Sequence, residues 1–575
     1  LARETVINFD PLNRAGKEGG FYLNENGELH IDDDDVMEAH RMAINKYPYD
    51  NAIRMVQLIT EKEGEPLHQF GKNSFRLYGA PAPEEGSVVG ILGQNGIGKS
   101  TALKILTGDI KPNLGKYEED ASWDEIKKRY RGTGLQNHFE ALADREIKSA
   151  VKPQQVEDIP KAYEGKVREM LEKSAESNSI EDTAEELEVR KLLDREISEL
   201  SGGELQRVAV ASTAMKNADL YVFDEPSSFL DVRQRLKIAR KIRELAEDAA
   251  VMVVEHDLAT LDLVSDRINV FYGEKGSYGM VSNALSTKDG INQYLEGMLE
   301  SHNLRIRDDP IKFERSKRSS VENKRSVFEF PELVKDFGKD EFRLETASGS
   351  VKSEEILGIF GENGLGKTVF AKMLAGHIEP DEGESPDIEL SYKPQYLEAK
   401  DETVREAVSK HVNPENKKFE VRIAEPLGID ELYEQPLEEL SGGELQRVGV
   451  AICLSKDAEV YLLDEPSAYM DVEGRVEMGR TLKRFARKTE KPLMVIDHDL
   501  MLLDYISDRG KVFSGEPGVS GRSSEPERIE KAVNRFLAEV GVTYRKDHDT
   551  GRPRANKPGS QKDSEQRSSG EYYEQ

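Results

Sequence analysis

Short apolar runs without alternation punctuate an otherwise polar chain: VVGIL at Val88–Leu92, LYVFD at Leu220–Asp224, ILGIF at Ile356–Phe360 and VYLLD at Val460–Asp464. A strand with one wet face alternates apolar and polar residues, whereas a parallel strand covered on both faces is apolar throughout. The runs therefore predict buried parallel strands of an α/β fold. Between the first two runs the apolar positions are spaced differently. Trp123, Ile126 and Tyr130, then Leu135, Phe139, Leu142 and Ile147, fit two short helices around Gly132–Gly134.

The runs return in a fixed order. VVGILGQNGIGKST (Val88–Thr101) pairs with ILGIFGENGLGKT (Ile356–Thr368), VKPQ (Val151–Gln154) with YKPQ (Tyr392–Gln395), LYVFDEPSSFLD (Leu220–Asp231) with VYLLDEPSAYMD (Val460–Asp471), and VVEHDL (Val253–Leu258) with VIDHDL (Val495–Leu500). LSGGELQRV stands unchanged at Leu200–Val208 and Leu440–Val448. Gln154 and Gln395 are 241 positions apart, Glu225 and Glu465 240, and His256 and His498 242, so two domains of one build follow each other. Lys99 and Lys367 are 268 apart, which leaves the first copy 27 residues longer before its glutamine, around 117–150.

Each VVGIL or ILGIF run feeds a glycine-rich turn, the strand–loop–helix setting of a phosphate-binding loop. Gly93, Asn95, Gly96 and Gly98, and in the second copy Gly361, Asn363, Gly364 and Gly366, let backbone N–H groups close around phosphate oxygens. Lys99 and Lys367 can bridge the β- and γ-phosphates of ATP, and the Ser100 and Thr368 hydroxyls can ligate Mg²⁺. Thr101 offers a second hydroxyl where the other copy has Val369. Asp224 and Asp464 suit the metal through water, and Glu225 and Glu465 suit polarising the attacking water. Gln154 and Gln395 are candidates for both the metal and the water, His256 and His498 for sensing the γ-phosphate, and Asp231 and Asp471 for nucleotide contact. Phe70 and Phe75 precede the first loop at a distance suiting adenine stacking, as do Phe330 and Phe342 before the second.

In LSGGE, a serine and a glutamate three residues later form a capping box, so a helix begins there. Its free N–H groups and positive end call for an anion, and two bare glycines allow close approach. Ser201, Gly202, Gly203 and Glu204, with Ser441, Gly442, Gly443 and Glu444, are thus nucleotide-binding candidates.

At 575 residues the chain is long enough for several domains. The 110 acidic and 81 basic residues give a net charge of −29, which repels nucleic acid except at local basic islands: IKKRYRG (Ile126–Gly132), IKFERSKRSSVENKR (Ile311–Arg325) and YRKDHDTGRPRANKPGSQK (Tyr544–Lys562). No apolar run approaches the roughly 20 residues of a membrane span, and the first residues lack the apolar core of a signal peptide. Both features predict a cytoplasmic protein. The only cysteine, Cys453, excludes internal disulfides and all-cysteine metal sites and reads as a small helix-core residue.

The LSGGE stretches resemble the signature of ABC-type ATPases. That resemblance implies that each signature completes the site of the opposite domain: Ser441–Glu444 closes on ATP held by Lys99, and Ser201–Glu204 on ATP held by Lys367. Outside the motifs, GIGKSTALKILTGDIKPNLGKYEE, LQNHF, KPQQVEDIPKA, NLRIRD (Asn303–Asp308) and VTYRKDHDTGRPRANK (Val542–Lys557) resemble the ribosome-recycling ATPases of the ABC E subfamily, also called RNase L inhibitors, over residues 68 to 575. The resemblance implies a helix–loop–helix arm at the insertion, hinge segments after each ATPase domain, and contacts with the small ribosomal subunit and its rRNA. It also implies ribosome splitting together with a release factor or a Pelota-type rescue factor, by a monomer whose two domains pair internally.

The family opens with a ferredoxin-like domain carrying two [4Fe–4S] clusters on cysteines, partly in a C-x₂-C-x₂-C-x₃-C-P run. Here the corresponding positions are Met37, His40, Ala43 and Tyr47, followed by Pro48, so no iron–sulfur cluster is expected, and His40 reads as a surface residue. The expected organisation is a degenerate, cluster-free ferredoxin-like domain (1–67), a first ABC ATPase domain (68–300), a hinge (301–327), a second ABC ATPase domain (328–535) and a C-terminal hinge and tail (536–575), with its last dozen residues disordered. Rival readings are an ATP-gated scaffold on the small subunit that does not hydrolyse, and another soluble tandem ABC translation factor.

Overall fold

The computed structural model describes the chain except residues 1, 16–19, 24–28, 32–39, 45–56, 60, 62–63, 177–178, 314–323, 339–340, 396, 398–400 and 575. It divides into a small unit, residues 1–60 with 297–308, and a large one, residues 61–296 with 309–575.

In the small unit, Asp10 ends the Ala2–Phe9 helix and caps Pro11–Arg14, its Oδ1 accepting the N–H groups of Leu12 (2.7 Å) and Asn13 (3.2 Å). The other carboxylate oxygen accepts the N–H of Phe21 at 2.9 Å, at the head of a hairpin pairing Phe21–Leu23 with Leu29–Ile31. Val6, Phe21 and Ala43 form the core. His40 is fully buried and its Nε2 lies 3.3 Å from Asp10 Oδ1. The expectation of a surface histidine is thus overturned, because the buried carboxylate gives the ring a polar partner. Met37, Tyr47 and Pro48 lie outside the described residues. The Asn303–Asp308 stretch belongs to this unit: Leu304–Arg305 pairs with Met298–Leu299 and with Gln57–Leu58.

The large unit holds the repeat as two sheets of one topology. In the first, Val88–Leu92 sits between Arg267–Glu274 and Ala250–Val254, with Leu220–Asp224 and then Ser149–Lys152 beyond, every neighbour parallel. In the second, Ile356–Phe360 takes the same place between Arg509–Glu516 and Leu493–Ile496, followed by Val460–Asp464 and Leu390–Lys393. All four runs predicted as strands are buried at every residue. The α/β expectation with two tandem ATPase-type domains is met.

The insertion forms the two predicted helices, Trp123–Arg129 and Gln136–Asp144, with Ile126 and Phe139 inward. Cys453 is buried on the Gly442–Ser455 helix. The tail departs from expectation. Gln561–Ser569 is a helix capped by Ser560, and Tyr573–Glu574 joins a three-stranded sheet with Tyr544–Lys546 and Pro553–Ala555. Tyr573 is buried and donates to Asp504 at 3.0 Å, so an apolar anchor near the end orders the segment.

Candidate nucleotide sites at the boundary of the two halves

Each phosphate loop leaves its central strand and turns into a helix through a glycine in the left-handed region, Gly98 at φ +96° and Gly366 at φ +88°. A side chain there is strained, and it would also strike Phe75, whose ring lies 2.6 Å from the position of a Cβ on Gly98; at Gly366 the Phe342 ring lies at 2.9 Å. Phe75 and Phe342 thus pack at the foot of each loop, and Phe70 is exposed with its ring against His68. Phe330 is a core residue, buried against Phe370, and not an adenine platform.

The Lys99 ammonium donates to the carbonyls of Gly93 (2.7 Å) and Gln94 (2.8 Å), and Lys367 donates to Gly361 (2.8 Å) and Glu362 (2.7 Å). Burial pulls the Lys99 ammonium down to about 8 despite the surrounding carboxylates of Asp471 and Glu225, and burial lowers Lys367 likewise. An ammonium that is costly to bury is one that a phosphate stabilises.

The Ser100 hydroxyl lies 3.5 Å from Asp224, and the Thr368 hydroxyl hydrogen-bonds Asp464. Burial, then the adjacent Glu465, pushes the Asp464 carboxyl up to about 6. Its Oδ1 is buried without a hydrogen-bond partner among the described residues, a donor set that fits hydrated Mg²⁺. Glu225 and Glu465 follow in the left-handed region, both at φ +48°. Gln154 donates to Glu225 Oε1 at 2.7 Å, and Gln395 hydrogen-bonds Glu465.

The two glutamates differ. Burial and then Asp224 raise the Glu225 carboxyl, whose nearest ring nitrogen, His256 Nε2, is 3.7 Å away. Burial also pushes Glu465 up, but His498 Nε2 at 3.1 Å, the Lys367 ammonium and Gln395 together outweigh it and hold the carboxyl below its ordinary value. His256 is fully buried, which keeps its ring neutral, and neither ring nitrogen has a hydrogen-bond partner among the described residues. An acceptor-rich phosphate fits that unmet need.

The signature helices begin as the capping box predicts. Ser201 Oγ accepts the N–H of Glu204 while Glu204 accepts the N–H of Ser201, and Ser441 and Glu444 repeat the pattern. The first faces the opposite half, and Glu444 of the second feels the charge of Lys275, which packs beside Gly96 of the first half. One cleft of about 1110 Å³ is lined by Ser201, Gly202, Gly203 and Glu204 from the first half and by Lys367, Thr368, Gln395, Glu465 and His498 from the second. Asn363 Nδ2 lies 3.8 Å from the place of a Cβ on Gly203. The loops are tied across the boundary too: Asn95 N–H donates to Asp471 Oδ2 and Asn363 N–H to Asp231 Oδ2, each at 3.0 Å. Phe229 and Tyr469 meet edge to face between them, ring centroids 5.1 Å apart.

Sequence reasoning passed over several residues. Lys152 and Lys393 are fully buried and donate to the backbone carbonyls of the acid pairs, Lys152 to Asp224 (2.8 Å) and Glu225 (3.1 Å), Lys393 to Asp464 (2.9 Å) and Glu465 (3.1 Å). Gln206 reinforces Glu225 O at 2.5 Å. Arg235 and Arg475 pair with Asp257 (2.5 Å) and Asp499 (2.9 Å), the residues after the two histidines. The repeated KPQ and HD pairs were the available signal.

The ABC transporter family model matches residues 83–228 and 344–468. ABC transporter E family member 1 of Arabidopsis thaliana is 40% identical over 92% of this chain and 90% of its own length. The chain belongs to the E family of ABC proteins. This E-family chain also resembles two solved structures. The complex of archaeal ribosomal stalk protein aP1 and archaeal ribosome recycling factor aABCE1 shares 50% identity over 89% of this chain and all of that one, at a TM-score of 0.82. A model of ribosome-bound archaeal Pelota and ABCE1 shares 48% identity over 99% of this chain and 96% of that one, at 0.86. As an ABC ATPase of the E family, the chain binds ATP with Mg²⁺ and hydrolyses it. Among the described residues, no helix is long and apolar enough to cross a membrane.

Proposed function

We propose that this protein is a ribosome recycling factor that binds the small ribosomal subunit and splits ribosomes by ATP-driven closure of its two halves, in the cytoplasm. The observation that carries the reading is the cleft in which the first half's signature faces the second half's phosphate loop. Neither half then owns a complete site. Lys99, Ser100 and Asp224 hold the triphosphate and metal at one site, with Ser441–Glu444 closing it; Lys367, Thr368 and Asp464 do so at the other, with Ser201–Glu204 closing it. Glu225 and Glu465 take the proton of the attacking water, held toward it by Gln154 and Gln395. The glutamate raised by burial is nearer the operating range of a general base.

Relatives described as ribosome-bound with Pelota, or as a ribosome recycling factor in complex with a stalk protein, support the small subunit and a Pelota-type or release factor as partners. With a single cysteine the chain cannot hold the family's clusters on cysteine thiolates, and we infer that it works without iron. Protein purified without oxygen is expected to show no iron or sulfide; stoichiometric amounts of both would refute this.

Replacing Glu225 and Glu465 by Gln together is expected to trap ATP-bound protein on small subunits in sucrose gradients. Free protein in the presence of ATP would count against the function, and occupied small subunits with no splitting of intact ribosomes by the parent chain would favour the scaffold reading.

A further inference from the structure

The two phosphate loops make the same backbone contact across the boundary but opposite side-chain contacts. Gln94, just before the bridging Asn95, donates to Glu473 of the second half at 2.5 Å. Glu362, at the same place in the second loop, forms an ion pair with Arg233 of the first half, Nε to Oε1 2.8 Å. Positions 233 and 473 correspond as well, each two residues past the bridging aspartate. Both partners have thus exchanged polarity between the copies.

The surroundings match the exchange. Glu473 also receives the Tyr294 hydroxyl of the first half at 3.2 Å. The corresponding position in the second half is Phe536, whose ring lies tilted against Phe360 and offers no donor; Arg233 instead donates to the Glu539 carbonyl at 3.3 Å. Glu362 and Arg233 both line the Lys367 cleft. The Glu362 side chain is only 11% exposed, and burial, then the neighbouring Asp231, raises its carboxyl above the ordinary range. A triphosphate arriving on Lys367 therefore meets a shielded carboxylate on the loop itself, and like charge in a poorly solvated site is costly.

We propose that Arg233 is a positioning residue of the Lys367 site: supplied by the opposite half, it neutralises Glu362 and so sets that site's affinity for Mg·ATP and its response to salt. At the Lys99 site the same position makes an amide–carboxylate hydrogen bond, Gln94 to Glu473. The assignment rests on the composite-site reading above.

The test uses the full chain carrying Lys99→Ala, so that Mg·ATP binding reports the Lys367 loop. Arg233→Gln is expected to weaken binding about two- to fivefold at about 0.1 M salt, and to matter little at about 1 M, where the screening length is roughly 3 Å. Adding Glu362→Gln is expected to restore affinity, and Arg233→Lys to retain it. An unchanged affinity in Arg233→Gln, or a loss equal at both salts and unrelieved by Glu362→Gln, would overturn the assignment. Gly203→Val in the same background separates the two readings. If it leaves binding and turnover at Lys367 untouched, the composite site itself is wrong; if it impairs them while Arg233→Gln does nothing, only the role of Arg233 falls.

Discussion

Glu225 and Glu465 sit in a backbone region that costs a side-chain-bearing residue of order 1–3 kcal/mol. They stay there because each is pinned from both sides. The N–H of Glu225 donates to Val254 (2.9 Å) and that of Glu465 to Ile496 (2.8 Å), while buried lysines hold the carbonyls. The pins aim the carboxylates and free them from local relaxation. Nothing in DEP announces a left-handed glutamate; the sheet neighbours impose it. Asp464 makes the electrostatic cost measurable. Its folded value of about 6 lies above the ordinary 3.8, so the folded chain holds that proton more tightly than the unfolded one. The stability it contributes is full below about pH 4 and is lost as pH rises through about 6. Asp464→Asn is therefore expected to gain on the parent between those values, reaching on the order of 3 kcal/mol at neutral pH. The same change is expected to remove Mg²⁺-dependent retention of ATP at that site. Urea melts across the pH series would sink the idea if the gap were constant.

Among the elements, the signature helices show how a local rule acquires a distant meaning. The capping box organises the first turn with its own residues, and Arg195 adds an ion pair to Glu204 at 2.9 Å. That leaves Gly203 bare toward the opposite loop, where Asn363 Nδ2 lies 3.8 Å from the place of its Cβ, while on its own side the Phe229 carbonyl lies at 3.1 Å. Ser201→Ala is expected to cost about 1 kcal/mol in urea melts. It should also slow turnover at Lys367 more than at Lys99, read by silencing each site in turn with Glu465→Gln or Glu225→Gln. Equal slowing at both sites would contradict the crossed assignment. The cap and the insertion helices were legible because i to i+3 bonding and helical spacing are written locally. The role of KPQ was not, because the lysine acts on a strand reached only through the sheet.

Over the whole large unit, the halves are joined by the ordered C-terminal segment as well as by the loops. Arg552 is fully buried, with Asp262 of the first half at 3.5 Å, and Arg554 reaches the same carboxylate at 2.6 Å. Asp547 supports Arg554 at 3.3 Å. The GRPRANK island reads in sequence as a candidate rRNA contact, yet two of its arginines serve a buried ion network. Asp262→Ala is expected to destabilise the chain by about 3 kcal/mol, because it strands a buried guanidinium. Limited proteolysis should then release the C-terminal segment first. Resistance equal to that of the parent would show that the network carries little of the attachment.

The sequence by itself determined the repeat, the α/β class, the phosphate loops and the acid pairs, because these follow from apolar runs, glycine placement and charge spaced along one chain. Only the tertiary structure decided which residues meet across the boundary, that Phe330 is core and Phe342 lines a cleft, that His40 is buried on Asp10, and that the tail is ordered. Each of those depends on desolvation and on partners hundreds of positions away, which local pattern does not encode.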